Sequence, residues 1–339
     1  MPFICSHPHT YRKTGGVRLN QPSLETNHNV RVKKRKKILW SLGIVFLLVV
    51  ALIFFISFKV VDTLLHHPRD TNVSYELNID KTPYEEVEFK SLKNDNTIRG
   101  TFFPAHAGVK SSDKTIIIVH GYTSNRLVKG RTPKLVEHFV PKGYNILAFD
   151  LSSQGKSEGD LITLGLNEKY DLLGAVDYIK SKDHAGDNIG VIGFSMGAAT
   201  SLLAASESDD IQAVIADSPF RNAGLFLREG LPFFSGLPAF PFSYTSTWMA
   251  NWVYKVDLDS VSPMDAVKKM QDKPVMLIHG TGDQQISYKN TEVIYESLKD
   301  NPSAEVWYPE NTEHIDAINH YPTEYFQRVD RFLYEYVGK

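Results

Sequence analysis

From Asn188 to Ala205 the chain reads Asn-Ile-Gly-Val-Ile, then Gly193-Phe194-Ser195-Met196-Gly197, then the small-residue run AATSLLAA. The first five residues suit a strand buried on both faces and the last eight a closely packed helix, so a sharp turn at Ser195 must join them. Glycines two residues to either side of the serine let that turn pass close to neighbouring backbone. The turn presents the hydroxyl beside a helix N-terminus, where developing negative charge is favoured. The N–H of Met196, the residue after the serine, is then one expected oxyanion donor. The same pentapeptide pattern recurs at Gly155-Lys156-Ser157-Glu158-Gly159. That copy lies in a polar loop several residues past its strand, with no tight helix start after it, so Ser157 is read as a loop residue.

The flanking sequence alternates strand and helix. EVEFKSLK (86–93) and TIRGTFFP (97–104) read as paired strands. They are followed by strand TIIIVH (115–120), a helix at about 127–141, strand NILAFD (145–150) and a helix at 166–182. Beyond the Ser195 turn come AVIAD (213–217), PVMLIHG (274–280), a helix near 287–300, AEVWYP (304–309) and a last helix at 321–337. This rhythm predicts an α/β fold with a mainly parallel, doubly wound sheet, whose chemistry gathers at the carboxyl ends of the strands. It breaks at 218–270, a segment rich in Phe, Pro, Tyr and Trp. An irregular loop of that length is uncommon in a compact domain, so the segment is expected to be a helical cap.

A serine nucleophile needs a histidine base, and that base needs a carboxylate to fix its tautomer. In the strand-turn-helix setting the chain order is serine, acid, histidine. Three histidines follow Ser195: His279, His314 and His320. His279 ends an apolar strand and reads as structural, and His320 opens the last helix region. His314, in the loop after AEVWYP, is the expected base. Asp283, after the penultimate strand, is the expected acid, with Asp217 at the end of AVIAD as its rival. Asp316 and Glu313 read as solvated loop charges. The loop His120-Gly121-Tyr122-Thr123 after TIIIV should supply the second oxyanion donor, the Tyr122 N–H, with His120 orienting the loop.

Ahead of this body, Ile38–Phe58 runs for 21 residues without a charge. A helix of that length spans about 30 Å, the thickness of a bilayer's hydrocarbon core. The run is longer than a signal-peptide core, and no small-residue cleavage site follows it, so it reads as an uncleaved anchor. Residues 1–37 hold nine Lys/Arg and one Glu; of the chain's 37 basic and 39 acidic residues, 28 and 38 remain beyond them. The basic block before the run keeps the N-terminus cytoplasmic and sends the body outside, by the positive-inside rule. The expected organisation is a basic tail (1–37) with a disordered polar start over residues 1–30, a transmembrane helix (38–59), a linker (60–84) and a catalytic domain (85–339). An acidic body argues against a nucleic-acid partner. Cys5 is the only cysteine, which rules out an intramolecular disulfide, and no residue pattern implies a metal or cofactor.

Residues from about 85 to 337 resemble the α/β-hydrolase superfamily. The motifs HGYTSNR, FDLSSQGKSEGD, GFSMGAAT, DSPF, SPMDAVKKM, PVMLIHGTGD and EHID, in that order, are similar to those of exported or membrane-anchored bacterial esterases and dipeptidyl-aminopeptidase-like hydrolases. The resemblance implies a triad of Ser195, Asp283 and His314 and an oxyanion hole at Tyr122 and Met196. Two positions depart from the pattern: Ser152 stands where many relatives have a basic residue, and Glu313 stands where they have glycine before the base. Three functions follow as expectations. The first is an ester hydrolase acting on a small-molecule ester through an acyl-enzyme, the others a peptidase or amidase of the same fold and an inactive membrane-displayed binding scaffold.

Overall fold

The computed structural model describes residues 24–72, 82–105, 112–182 and 185–338. They fall into two compact units, 1–52 and 53–339. What is described of the first is helix alone, part of α1 (Leu24–Leu65). Its apolar side chains are exposed, Trp40 to 75%, and the helix is long and apolar enough to cross a membrane. A helix that is apolar on all sides and uncovered is suited to hydrocarbon rather than water.

Among its described residues the second unit is built on eight strands: β1 (Glu85–Lys90), β2 (Thr97–Phe103), β3 (Lys114–Val119), β4 (Asn145–Phe149), β5 (Asn188–Phe194), β6 (Ile211–Asp217), β7 (Val275–Ile278) and β8 (Ala304–Trp307). Their order is β1-β2-β4-β3-β5-β6-β7-β8. The pairs β1–β2 and β2–β4 are antiparallel, and all later pairs are parallel. Side chains alternate across a strand, so each central strand feeds two cores. Ile117 and Val119 enter one core with Leu172 and Val176 of α3 (Glu168–Ser181) and Leu202 of α4 (Met196–Ala205). Ile116 and Ile118 enter the other with Leu135 and Phe139 of α2 (Thr132–Phe139) and Val329 and Phe332 of the C-terminal helix.

The break in rhythm holds α5 (Ala223–Ser235), α6 (Ala239–Tyr254) and the short α7 (Pro263–Ala266). Asn222 starts α5 by accepting the Leu225 N–H at 2.9 Å, satisfying one of the free amides of a helix start. The remaining α-helices among the described residues are α8 (Lys289–Glu296), α9 (Ala317–His320) and α10 (Pro322–Tyr336).

Three boundaries are corrected. The helix expected from about 127 starts at Thr132, where Pro133 occupies the first turn and fixes a helical φ without needing a partner for the N–H it lacks. Residues 24–30, expected in the disordered start of the tail, are helical, whereas residues 1–23 lie outside the described residues. The linker expected from residue 60 does not begin there, because α1 continues to Leu65. Ser57, Val61 and Leu65 recur every four residues and are fully buried. The helix end is also capped by the body: Tyr122 Oη donates to Leu64 O at 2.7 Å and the Ile162 N–H to Leu65 O at 2.9 Å. These bonds satisfy carbonyls that a helix C-terminus otherwise leaves free. Residues 73–81 of the expected linker lie outside the described residues.

Candidate active site

Ser195 joins β5 to α4 with φ 54° and ψ −118°, a backbone that a serine adopts only where its surroundings hold it. The hold is close packing. A Cβ on Gly197 would stand 2.3 Å from Val119 O, and one on Gly193 would stand 2.4 Å from Gly197 O. The Ser195 N–H donates to Asp217 O at 2.8 Å. The hydroxyl emerges where the strand order reverses about β3, the place at which open α/β sheets bind ligands.

His314 Nε2 lies 2.8 Å from Ser195 Oγ, and His314 Nδ1 lies 2.6 Å from Asp283 Oδ2. An ionised carboxylate only accepts, so Nδ1 carries the proton and Nε2 offers its lone pair to the serine O–H. Asp283 Oδ1 accepts the N–H groups of Gln285 and Ile286 at 2.8 and 2.9 Å. Burial alone would raise the pKa of this carboxyl. Hydrogen bonds from His279 and His314, with the Ile286 N–H, outweigh it and hold Asp283 well below the usual carboxylate range.

His279 was expected to be structural, and its surroundings give that reading a specific content. The ring is fully buried. Its Nε2 lies 3.1 Å from Asp283 Oδ2 and 2.8 Å from Ile286 O, and its Nδ1 lies 2.6 Å from Thr291 Oγ1. Both Nε2 neighbours are acceptors, so Nε2 is the donor and it buttresses the carboxylate. The available signal was the spacing: a histidine four residues before Asp283 across a Gly-Thr-Gly turn.

The other candidates lie apart from this relay. Asp217 is buried, with Ser218 Oγ 3.0 Å from its Oδ1, and no hydrogen bond between described residues joins its side chain to His314. Burial pushes its pKa up to about 6. Glu313 and His320 are exposed, and Asp316 accepts from Asn319 at 2.8 Å. Ser157 is fully buried: it donates to Asp150 O at 2.6 Å and accepts the Arg99 N–H at 2.8 Å. Its pentapeptide is a turn wrapped on Asp150, where Gly155 has φ 48° and a Cβ would strike the carboxylate at 2.2 Å. Ser152, at the first departure from the pattern, bonds Asp171 through N–H and Oγ, both at 2.8 Å.

The loop after β3 closes on the serine. A Cβ on Gly121 would lie 3.3 Å from Ser195 Cβ, which puts Tyr122 beside the nucleophile. His120 is buried, takes the Leu151 N–H on Nε2 at 3.0 Å and lies 2.7 Å from Gly121 O through Nδ1. That pattern fixes a neutral ring with the proton on Nδ1, and burial depresses its pKa in the same sense. Further along, Arg126 Nη1 pairs with the buried Asp150 at 2.5 Å and its N–H donates to the same carboxylate at 2.6 Å. Met196 opens α4, so its N–H has no acceptor within the helix. Tyr122 and Met196 line one cavity of about 960 Å³ with Ser195 and His314. Its walls are largely apolar, and they include Phe55, Ile56, Val60 and Leu64 of α1 and Phe226, Leu227 and Leu231 of α5.

Comparison with known proteins agrees with this geometry at the level of family. A profile of the prolyl oligopeptidase family matches residues 162–339, and one of the X-Pro dipeptidyl-peptidase (S15) family matches residues 67–235. The uncharacterized Bacillus subtilis protein YqkD is 33% identical over 230 residues, covering 67% of this chain and 73% of its own length. YfhR of Escherichia coli K12, also uncharacterized, is 27% identical over 241 residues, covering 69% and 75%. A solved structure of a Pyrococcus furiosus esterase superposes with TM-score 0.67 at 29% identity, covering 81% of this chain and 99% of that one. Pyrococcus horikoshii acylaminoacyl peptidase superposes with TM-score 0.58 at 18% identity, over 76% of this chain and 42% of that one. At that identity the likeness is one of fold alone.

Proposed function

This chain belongs to the prolyl oligopeptidase family of α/β-hydrolases, and from that premise we propose that it is a membrane-anchored serine esterase forming an acyl-enzyme on Ser195. The observation that carries the reading is the unbroken relay from Ser195 Oγ through His314 to Asp283, opening into an apolar cavity. His314 Nε2 takes the serine proton as Oγ attacks the ester carbonyl. Asp283 keeps the other ring nitrogen protonated and stabilises the imidazolium, and His314 then returns the proton to the leaving alcohol. Water repeats the sequence on the acyl-enzyme. The N–H groups of Tyr122 and Met196 receive the oxyanion, each worth about 3–4 kcal/mol in the transition state.

Ester rather than peptide bond is favoured by the lining. Among the described residues that line the cavity there is no Asp or Glu to receive a substrate α-ammonium group. A neutral acyl group suits such walls, and of the two solved structures compared above the one that superposes with the higher TM-score is an esterase. The uncharged run at 38–58, behind the basic block at 31–37, anchors the chain with its catalytic unit outside the cell.

The test uses the full chain in detergent with p-nitrophenyl acetate and butyrate. Turnover should be lost in Ser195→Ala, and a fluorophosphonate should label Ser195 in the parent. Absence of both turnover and labelling would leave the inactive scaffold as the better reading. Labelling without ester turnover would send the assay to peptides.

A further inference from the structure

Resting on that reading, we infer that the segment of α1 from Phe55 to Leu64 is one wall of the acyl site, and that the substrate is a long-chain ester drawn sideways from the bilayer. The helix presents three rows to the body. Ser57, Val61 and Leu65 are buried in it. Ile56, Val60 and Leu64, the next row, are half-buried and line the cavity, facing Leu227 and Leu231 of the cap. Phe55, Lys59 and Thr63, the outermost row, are exposed but still border the cavity. On the cap side the exposed Phe234 and Ser235 border it too. Its mouth therefore runs between this helix row and the end of α5.

Phe55 and Ile56 belong to the uncharged run that reads as membrane-spanning, so the mouth starts at the level of hydrocarbon. The nucleophile lies at the other end of the same wall. Leu64 O is held by Tyr122, whose neighbour Gly121 packs on Ser195. From Phe58, the end of the run, to Leu64 is about 9 Å along the helix. That is close to the depth of one head-group layer, which is about 5–8 Å. An acyl chain lying along Phe55 to Leu64 would thus keep its tail in the bilayer and carry its ester to Ser195.

The cap surface agrees. Phe240, Tyr244, Trp248 and Trp252 are all at least half exposed. Trp248 packs edge-on to Phe54 at 5.6 Å, and Ser57 Oγ meets Thr245 Oγ1 at 2.6 Å. An exposed aromatic face continuous with the anchor suits the membrane interface, where Trp and Tyr are enriched, better than water. Such a surface is a poor design for a substrate that arrives from solution.

The experiment places the full chain in phosphatidylcholine vesicles and compares p-nitrophenyl acetate, supplied in water, with p-nitrophenyl palmitate built into the same bilayer. Palmitate turnover should follow the ester's mole fraction in the protein's own vesicles and should not respond to added ester-free vesicles. In Val60→Trp and Ile56→Trp, which fill the wall, the palmitate-to-acetate ratio of kcat/KM should fall by about tenfold or more. Fluorophosphonate labelling of each variant reports a folded site. Palmitate turnover that tracks bulk concentration, or a ratio unchanged in both labelled variants, overturns the inference while leaving the esterase. Failure of the parent to hydrolyse even acetate removes the esterase reading and the inference with it. If neither variant labels, the dependence on mole fraction decides alone.

Discussion

Two buried aspartates stand near the serine, and their environments push them in opposite directions. Asp283 holds its charge because four donors meet it, two backbone amides and the side chains of His279 and His314. Asp217 sits in the same region with one oxygen that no donor among the described residues reaches, and burial raises it to about 6. Only the first is placed to orient the base. Asp283→Asn should therefore lower kcat by about 10³–10⁴-fold, since the amide no longer selects the productive tautomer. Asp217→Asn should stay within a few-fold, and steady-state kinetics on the acetate ester separates the two. The same residue sets a stability prediction. With a folded pKa near 6 against 3.8 unfolded, Asp217 keeps its proton in the fold between those values while the unfolded chain releases it. Its contribution therefore falls as pH rises through about 4 to 6 and is level above. Asp217→Asn should gain about 2–3 kcal/mol relative to the parent on going from pH 4 to pH 8, read from chemical denaturation at the two pH values.

Among the elements, the last turns of α1 do the most that their sequence does not announce. Tyr122 ties them to the loop that faces the nucleophile. Burial pushes the Tyr122 phenol up to about 12, so it remains a donor to Leu64 O at any working pH. Tyr122→Phe should cost about 1 kcal/mol of stability, as thermal unfolding would report. It should also raise KM for long acyl esters more than for acetate, because the wall it fastens borders the acyl site. The parallel strands and the Ser195 turn were legible in the sequence because each has a local signature: short apolar runs, flanking glycines and a small-residue helix start. The docking of α1 was not. Ser57 falls at the end of the uncharged run, and Val61 and Leu65 each have an equally apolar neighbour in Val60 and Leu64, so the buried repeat has little contrast against which to appear. His279 was hidden for a related reason, since the end of a buried strand looks alike whether its last side chain packs or orients a carboxylate. The Ser157 turn could be set aside because nothing helical follows it, yet its tie to Asp150 depends on contacts far apart in sequence.

For the whole molecule, these contacts decide where the chain can be cut. A hydropathy profile alone would place the boundary near residue 60, after the uncharged run. The structure assigns residues 53–65 to the same unit as the active site. Starting the chain at residue 66 removes Val61 and Leu65, both fully buried, at about 1.5–3 kcal/mol each. It also removes the hydroxyl contact of Ser57 with Thr245 and the Asp62 carboxylate that accepts from Tyr254 at 2.8 Å. Those losses are a large share of the ~5–15 kcal/mol that stabilises a typical domain. They also leave the cavity open along one side. Starting at residue 53 keeps all of these contacts and sheds most of the uncharged run. The two truncations should therefore differ sharply: the chain from 53 hydrolysing p-nitrophenyl butyrate in detergent at close to the full-length rate, the chain from 66 unfolding at lower denaturant and losing butyrate turnover more than acetate turnover. Equal stability and equal chain-length profiles for the two would show that α1 beyond residue 52 only tethers the enzyme, and the wall assigned to it would have to be built by the cap alone.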